Sequence, residues 1–489
     1  MGRKPRDINN NLRPKCDEFD EQSFVDGVFN DEYILVVGSS VILNRFKEEF
    51  VESKGDINQH IINEINKDKR AKEIGFEDYK NFTDVFRGTA LDEVDPIYTL
   101  LTKDYEFTLD DISKELTDLL RTKLFKFVLT TTIDGYLEAL MRDIWGDELR
   151  IVNISDNKSL KDFQDALGKS RVNKYTQPTL FYVFGKVTPG RPKPRGFVET
   201  DVDAIKYIEK WMVDIDSKYI VPFLKSKRML SLGCKFDDWY FHFFWYIITR
   251  GFDDNDREGA KGSDGSIMTR DNLAAMFDPE SPSDQSLKDY LQRRGVCMHD
   301  NVWSFISHIY NILTSTEPNS PFRQMVLNKR REGEIFISYK SEDILEASKL
   351  FCKLAREKNL NVWFDNVDLK VGADYVSEIK DVIEHKTKVF IPILSSYVCE
   401  DLKFKHESID DFYSQEWRWT VGNDSIAVLP VAINGYDLRG EQNRIFERII
   451  KRQPSGIDMT EKANDYLVGE VTGFSKLLKS IYQHLGIEE

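Results

Sequence analysis

Apolar positions along this chain follow two patterns. Short, nearly unbroken apolar runs alternate with longer stretches in which apolar residues recur every three or four positions. The short runs, bounded by polar residues, predict buried strands, and the periodic stretches predict helices. Strand candidates in the first part are Tyr33–Val37 (YILVV), Phe125–Leu129, Leu180–Phe184 (LFYVF) and Arg228–Gly233. In the last part they are Ile335–Ile337, Asn361–Phe364 and Lys388–Leu394. Helical spacing is seen at the end of Leu287–Leu313, where Val302, Phe305, Ile306, Ile309, Tyr310 and Leu313 share a face. It recurs at Phe446, Ile449 and Ile450 and at Leu477, Leu478 and Ile481. Strands alternating with helices predict an α/β fold with parallel sheets.

In such sheets, ligands gather beyond the carboxyl ends of the strands. Ser338–Ser341, Asp365–Gly372 and Ser395–Ser396 follow the three late strands, and Glu416 lies on the next predicted helix. Gly38, Ser39 and Ser40 follow the first strand. A strand, a small-residue turn and a helix offer backbone N–H groups to a phosphate. A bare connection has the same appearance, and Gly38 alone does not make a glycine-rich fingerprint.

A chain of 489 residues exceeds one ordinary core, so two or three domains are expected. Residues 1–27 are polar and predict a flexible arm. Residues 28–313 read as one α/β domain, 314–331 (with TSTEPNSP) as a linker and 332–489 as a second α/β domain. Residues 252–284 are rich in Gly, Asp and Ser and predict a mobile loop or lid.

Composition narrows the function. With 41% hydrophobic and 31% charged residues, the chain is globular in type. A net charge of -15 argues against general nucleic-acid binding. The five cysteines are scattered and lack Cys-x-x-Cys spacing, which predicts a reducing cytoplasm without disulfides or a zinc module. The seven histidines form no His-x-x-x-His pair, so no metal site is expected. No apolar run is long enough for a bilayer, so no membrane association is expected.

The motifs VVGSS, TTTID, VFG and GCKFDDWYF, in that order, resemble the sirtuin-like domains of bacterial defence proteins. That resemblance implies a Rossmann-like parallel sheet and a nucleotide site at Gly38, Ser39, Ser40 and Asp134. It also places the family's catalytic Asn on Thr132 and its catalytic His on Phe184. A phenyl ring accepts no proton, and Thr lacks the amide of Asn. The domain is therefore expected to be a degenerate enzyme that scaffolds or senses.

Glu334–Asp343 (EIFISYKSED), Val362–Asp365 with Asp368, Leu369 and Gly372, Phe390–Ser396 (FIPILSS) and Tyr413–Trp417 (YSQEW) resemble the Toll/interleukin-receptor (TIR) family. The resemblance implies a flavodoxin-like domain in which NAD⁺ is the substrate and Glu416 the catalytic residue. An insertion at Val398–Asp411 leaves Glu400 and Glu407 as competitors. Phe336, Tyr339 and Trp363 are candidates to line the pocket, and Asp368 and Gly372 belong to the loop beside it. Together the two resemblances imply an NAD⁺ glycohydrolase effector of antiphage defence. It would be switched on by self-association through both domains, with a nucleotide or phage-derived trigger. The product is ADP-ribose or a cyclic form. A non-enzymatic TIR adaptor, or activity housed in the sirtuin-like domain, are the alternatives.

Overall fold

The computed structural model describes residues 20–67, 108–170, 175, 177–188, 195–198, 201–213, 219–234, 273–276, 296–299, 301–315, 317, 319–329, 334–357, 360–364, 375–395, 397, 412–421, 423, 425–432 and 471–487. The chain divides into two compact units, one from residues up to Phe24 and Asp31–Tyr310, the other from Val25–Asn30 and Asn311–Glu489. Both are α/β with parallel sheets, as the alternation of apolar runs predicts.

The strands of the first unit are β1 (Tyr33–Val37), β2 (Phe127–Thr130), β3 (Arg150–Asn153), β4 (Thr179–Tyr182), β5 (Gly185–Thr188), β6 (Arg195–Phe197), β7 (Arg228–Leu232), β8 (Leu273–Met276) and β9 (Val296–His299). Seven of them form one parallel sheet in the order β3-β4-β2-β1-β7-β8-β9, while β5 and β6 make a separate antiparallel ribbon. Every residue of β1 is buried, as expected for a central strand covered on both faces. On one face Ile34, Val36, Leu129, Phe181 and Met229 join Phe163, Trp211 and Phe223 in a single apolar cluster.

One sequence expectation changes here. Leu273–Met276 lies inside the expected lid at 252–284, yet it is a sheet strand. Val296–His299, ahead of the periodic residues, is a strand as well, and the helix is Val302–Thr314, where the periodicity lies. Both runs are only four residues long and lack the dense β-branched and aromatic content of β1. Pairing in parallel with β7 and with each other makes them strands.

In the second unit the strands are β10 (Ile335–Ser338), β11 (Val362–Phe364), β12 (Val389–Leu394), β13 (Ala427–Val428) and β14 (Val431–Ala432). Their order is β11-β10-β12-β13, and β14 also pairs with β12, all in parallel. This is the flavodoxin-like order, with the second strand on one side of the first and the third on the other. Part of the expected linker is helical: Pro321–Lys329 buries Phe322, Met325 and Val326. Of the expected arm, 1–19 lie outside the described residues, and Glu21–Phe29 is a helix. Among the described residues, no helix is long and apolar enough to cross a membrane.

Candidate active site

Each sheet reverses its winding once, and that reversal is where a crevice opens between carboxyl ends of strands. In the first unit the reversal falls between β1 and β7 and is filled by backbone. Gly38 N–H donates to Leu232 O at 2.8 Å, and Ser40 N–H to Gly233 O at 3.2 Å. A Cβ on Gly38 would lie 2.2 Å from Gly233 O, so glycine is needed for this approach. Ser39 and Ser40 are buried, and Ser40 Oγ donates to Asp56 at 3.2 Å. The helix expected after the turn is only a three-residue 3-10 turn, Ser39–Val41. Two of the three amides of Gly38–Ser40 are thus engaged, one by Leu232 of β7 and one by Gly233 just after it.

Asp134 lies just past β2. Its Oδ1 accepts Tyr136 N–H at 2.9 Å, and its carbonyl accepts Tyr182 O–H at 3.0 Å. Burial pushes its carboxyl above the usual carboxylate range. The Thr132 hydroxyl, the Tyr136 and Asp134 amides and the charge of Lys186 act in the opposite direction. Thr132 is buried, with Oγ1 2.9 Å from Thr130 Oγ1, and Phe184 sits in the apolar cluster. Neither supplies an acid or a base.

The reversal in the second sheet lies between β10 and β12 and has different contents. The helix Phe412–Val421 buries Tyr413, Glu416, Trp417 and Thr420. These are positions i, i+3, i+4 and i+7, one continuous stripe facing the sheet. Tyr413 and Trp417 pack with Phe390 and Phe336 of the sheet. Glu416 therefore occupies a place where the pattern calls for an apolar side chain, and it is only 3% exposed. A buried carboxylate is costly unless it is hydrogen-bonded. Here Ser338 Oγ, at the carboxyl end of β10, donates to Glu416 Oε2 at 2.5 Å. Tyr413 O–H donates to Ile393 O at 2.8 Å and pins the same helix to β12. Lys340 Nζ stands 5.5 Å from the centre of the Tyr413 ring.

A second serine–carboxylate pair lies at the same edge. Ser395, just past β12, donates to Asp343 Oδ2. Asp343 is buried, and its carboxyl is pushed up to about 6. Burial is the main cause; the Ser395 bond opposes it, Glu342 and Glu346 add to it, and Lys340 opposes it.

The aromatic candidates divide differently. Phe336 is fully buried in a ring stack, with Trp363 at 4.4 Å and Phe390 at 5.6 Å. It offers no face to a ligand and is a core residue, as is Trp363 beside it. In a strand covered on both faces, the sequence does not distinguish a lining ring from a packed one. Tyr339 is buried and stacks on Phe364 at 4.9 Å. Asp368, Gly372, Glu400 and Glu407 lie outside the described residues. Sequence reasoning passed over Ser338, Ser395 and Asp343 as individual site residues. Their position just past strand ends was the available signal. Among the described residues, no three His, Cys, Asp or Glu side chains gather as they would around a metal ion.

Residues 335–466, which include this sheet and the helix that carries Glu416, match the family model for the TIR domain. The chain carries a TIR domain in its C-terminal part. It is also similar to a probable 2' cyclic ADP-D-ribose synthase, TcpO, of Methanobrevibacter olleyae. The two are 27% identical over 139 residues, which is 27% of this chain and 38% of that protein. The chain thus spans well under half the length of the curated relative it matches.

Proposed function

We propose that the TIR domain of this chain cleaves NAD⁺ between nicotinamide and ribose, with Glu416 as the carboxylate that stabilises the reacting sugar. The observation carrying this reading is an acid sealed on the apolar face of a helix, at the reversal of a flavodoxin-order sheet. The similarity to a cyclic ADP-ribose synthase supports the choice of substrate.

The chemistry needs only one carboxylate. The glycosidic electron pair leaves with the pyridinium nitrogen, so nicotinamide departs neutral and requires no acid, unlike an O-glycoside leaving group. Positive charge develops on the ribose, and a carboxylate in a water-poor crevice stabilises it. The cation is then captured by water, giving ADP-ribose and a proton. Capture by a hydroxyl of the same molecule gives cyclic ADP-ribose and a proton. The relative's name favours the cyclic outcome. In the free protein the Ser338 hydroxyl satisfies Glu416, and a ribose hydroxyl offers the same kind of donor.

In this reading the first unit is a sirtuin-like scaffold or sensor. Thr132 and Phe184 at the key positions and the backbone-filled reversal support that assignment. Self-association, on a nucleotide or phage-derived trigger, is the proposed switch in an antiphage response, so activity per molecule should rise with concentration. The test is nicotinamide release from NAD⁺ by the purified full chain, with products separated by chromatography. Loss in Glu416→Ala and retention in Thr132→Ala is the expected result. Loss only in Thr132→Ala moves the chemistry to the first unit, and no release at any concentration leaves an adaptor.

A further inference from the structure

Glu416 is held by two strands at once. Ser338 at the end of β10 holds its carboxylate, and Ile393 of β12 holds its helix through Tyr413. The spacing of β10 and β12 at their carboxyl ends therefore sets where Glu416 points. One further buried contact ties those ends together: Asp343, on the 3-10 turn Ser341–Asp343 after β10, accepts from Ser395, on the exit from β12. Asp343 and Ser395 are both sealed from solvent. Ser395 follows by two residues Ile393, the acceptor of Tyr413, and Asp343 lies five residues after Ser338, at the start of the helix Ile344–Ala355.

We propose that Asp343 is a positioning residue for the reaction proposed above, acting on the Glu416 crevice through its hydrogen bond with Ser395. This inference rests on the NAD⁺-cleaving reading of the TIR domain. An ionised Asp343 accepts only, so the Ser395 hydroxyl must point its proton at it. A protonated Asp343 can donate instead, and the hydroxyl is then free to turn. The two protonation states thus hold the exit of β12 in two ways, one fixed and one loose. Among the described residues, the charged groups that act on Asp343 are Glu342 and Glu346 of its own segment and Lys340 from the exit of β10; Ser395, just past β12, is neutral. Burial, with the two acids adding to it, raises its titration to about 6, where it can respond to pH.

The test is the pH dependence of kcat and KM for nicotinamide release by the full chain. It compares wild type, Asp343→Asn, Ser395→Ala, the double variant and Glu416→Gln. The expected wild-type profile falls on the acid side with a midpoint near 6. Asn imitates the protonated acid, so Asp343→Asn should flatten that limb and lower kcat about 10-fold with little change in KM. Ser395→Ala should lower kcat similarly, and the double variant should be no worse than either single one, since both remove the same contact. Melting temperatures show whether the variants are folded, and a folded Asp343→Asn with a wild-type profile overturns the inference. An active wild type with a dead Glu416→Gln and unaltered Asp343 and Ser395 variants removes this inference alone. A wild type that releases no nicotinamide removes it together with the proposed function.

Discussion

Ser338 and Glu416 are 78 positions apart in sequence and share a buried hydrogen bond of 2.5 Å. The bond joins the end of the first TIR strand to the middle of the helix Phe412–Val421. Replacing Ser338 by Ala leaves an acid under the sheet edge without this donor. Loss of one partner of a buried polar pair costs about 1–3 kcal/mol. We predict that Ser338→Ala lowers the unfolding free energy by that amount, measured by urea denaturation, and reduces NAD⁺ turnover. An unchanged midpoint would mean that water replaces the hydroxyl at no cost.

Asp343 leads to a prediction of opposite sign. Its carboxyl titrates near 6 in the folded protein and near 3.8 when unfolded. A raised acid favours the folded state below the unfolded value and loses that contribution as pH rises through about 6. At neutral pH the ionised, buried carboxylate is therefore a destabilising element. Asp343→Asn should be more stable than wild type at pH 7 by up to about 3 kcal/mol, and the gap should narrow toward pH 4. Thermal melts across that range provide the check. A variant less stable at pH 7 would show that the Ser395 bond outweighs burial.

Gly38→Ala should destabilise the first unit. Gly38 has φ of -102°, an ordinary value, so the cost is steric. The added methyl would sit 2.2 Å from Gly233 O and 2.4 Å from Cys234 Cα, and both are backbone atoms that yield only if β1 and β7 separate. Overpacking of this kind typically costs about 1–3 kcal/mol, occasionally more. Hydrogen exchange in β1 and β7 should report it directly, and unaltered protection would contradict the packing described.

Phe336→Ala tests whether that ring packs or binds. A fully buried Phe in a three-ring stack should cost about 3–5 kcal/mol when truncated. The expected result is a large loss of stability, while Phe336→Leu keeps both fold and KM. A raised KM in a stable Phe336→Leu would restore the lining role.

The elements that sequence patterning places well are those with a dense apolar signal. YILVV and FIPILSS admit few other readings, and β1 and β12 lie where these runs stand. LAAM and VCMH are strands through their partners, and local pattern carries no information about partners. The site divides in the same way. The TIR resemblance singles out Glu416, but its burial is not legible in the sequence: a glutamate in YSQEW has the look of an exposed helix acid. Only the helix phase, with Tyr413, Trp417 and Thr420 on the same stripe, turns it inward. Phe336 went the other way, because parallel strands bury both faces and remove the alternation that separates core from cleft. Asp343 and Ser395 pair across 52 positions, a juxtaposition created by strand order alone.

The most direct measurement is the rate of nicotinamide release at saturating NAD⁺ by Glu416→Gln beside wild type, both shown folded by their melting temperatures. Gln keeps the size of the side chain and an oxygen for Ser338, and it removes only the charge. The account predicts a fall of about 100- to 1000-fold. A Glu416→Gln protein that turns NAD⁺ over at the wild-type rate would contradict it.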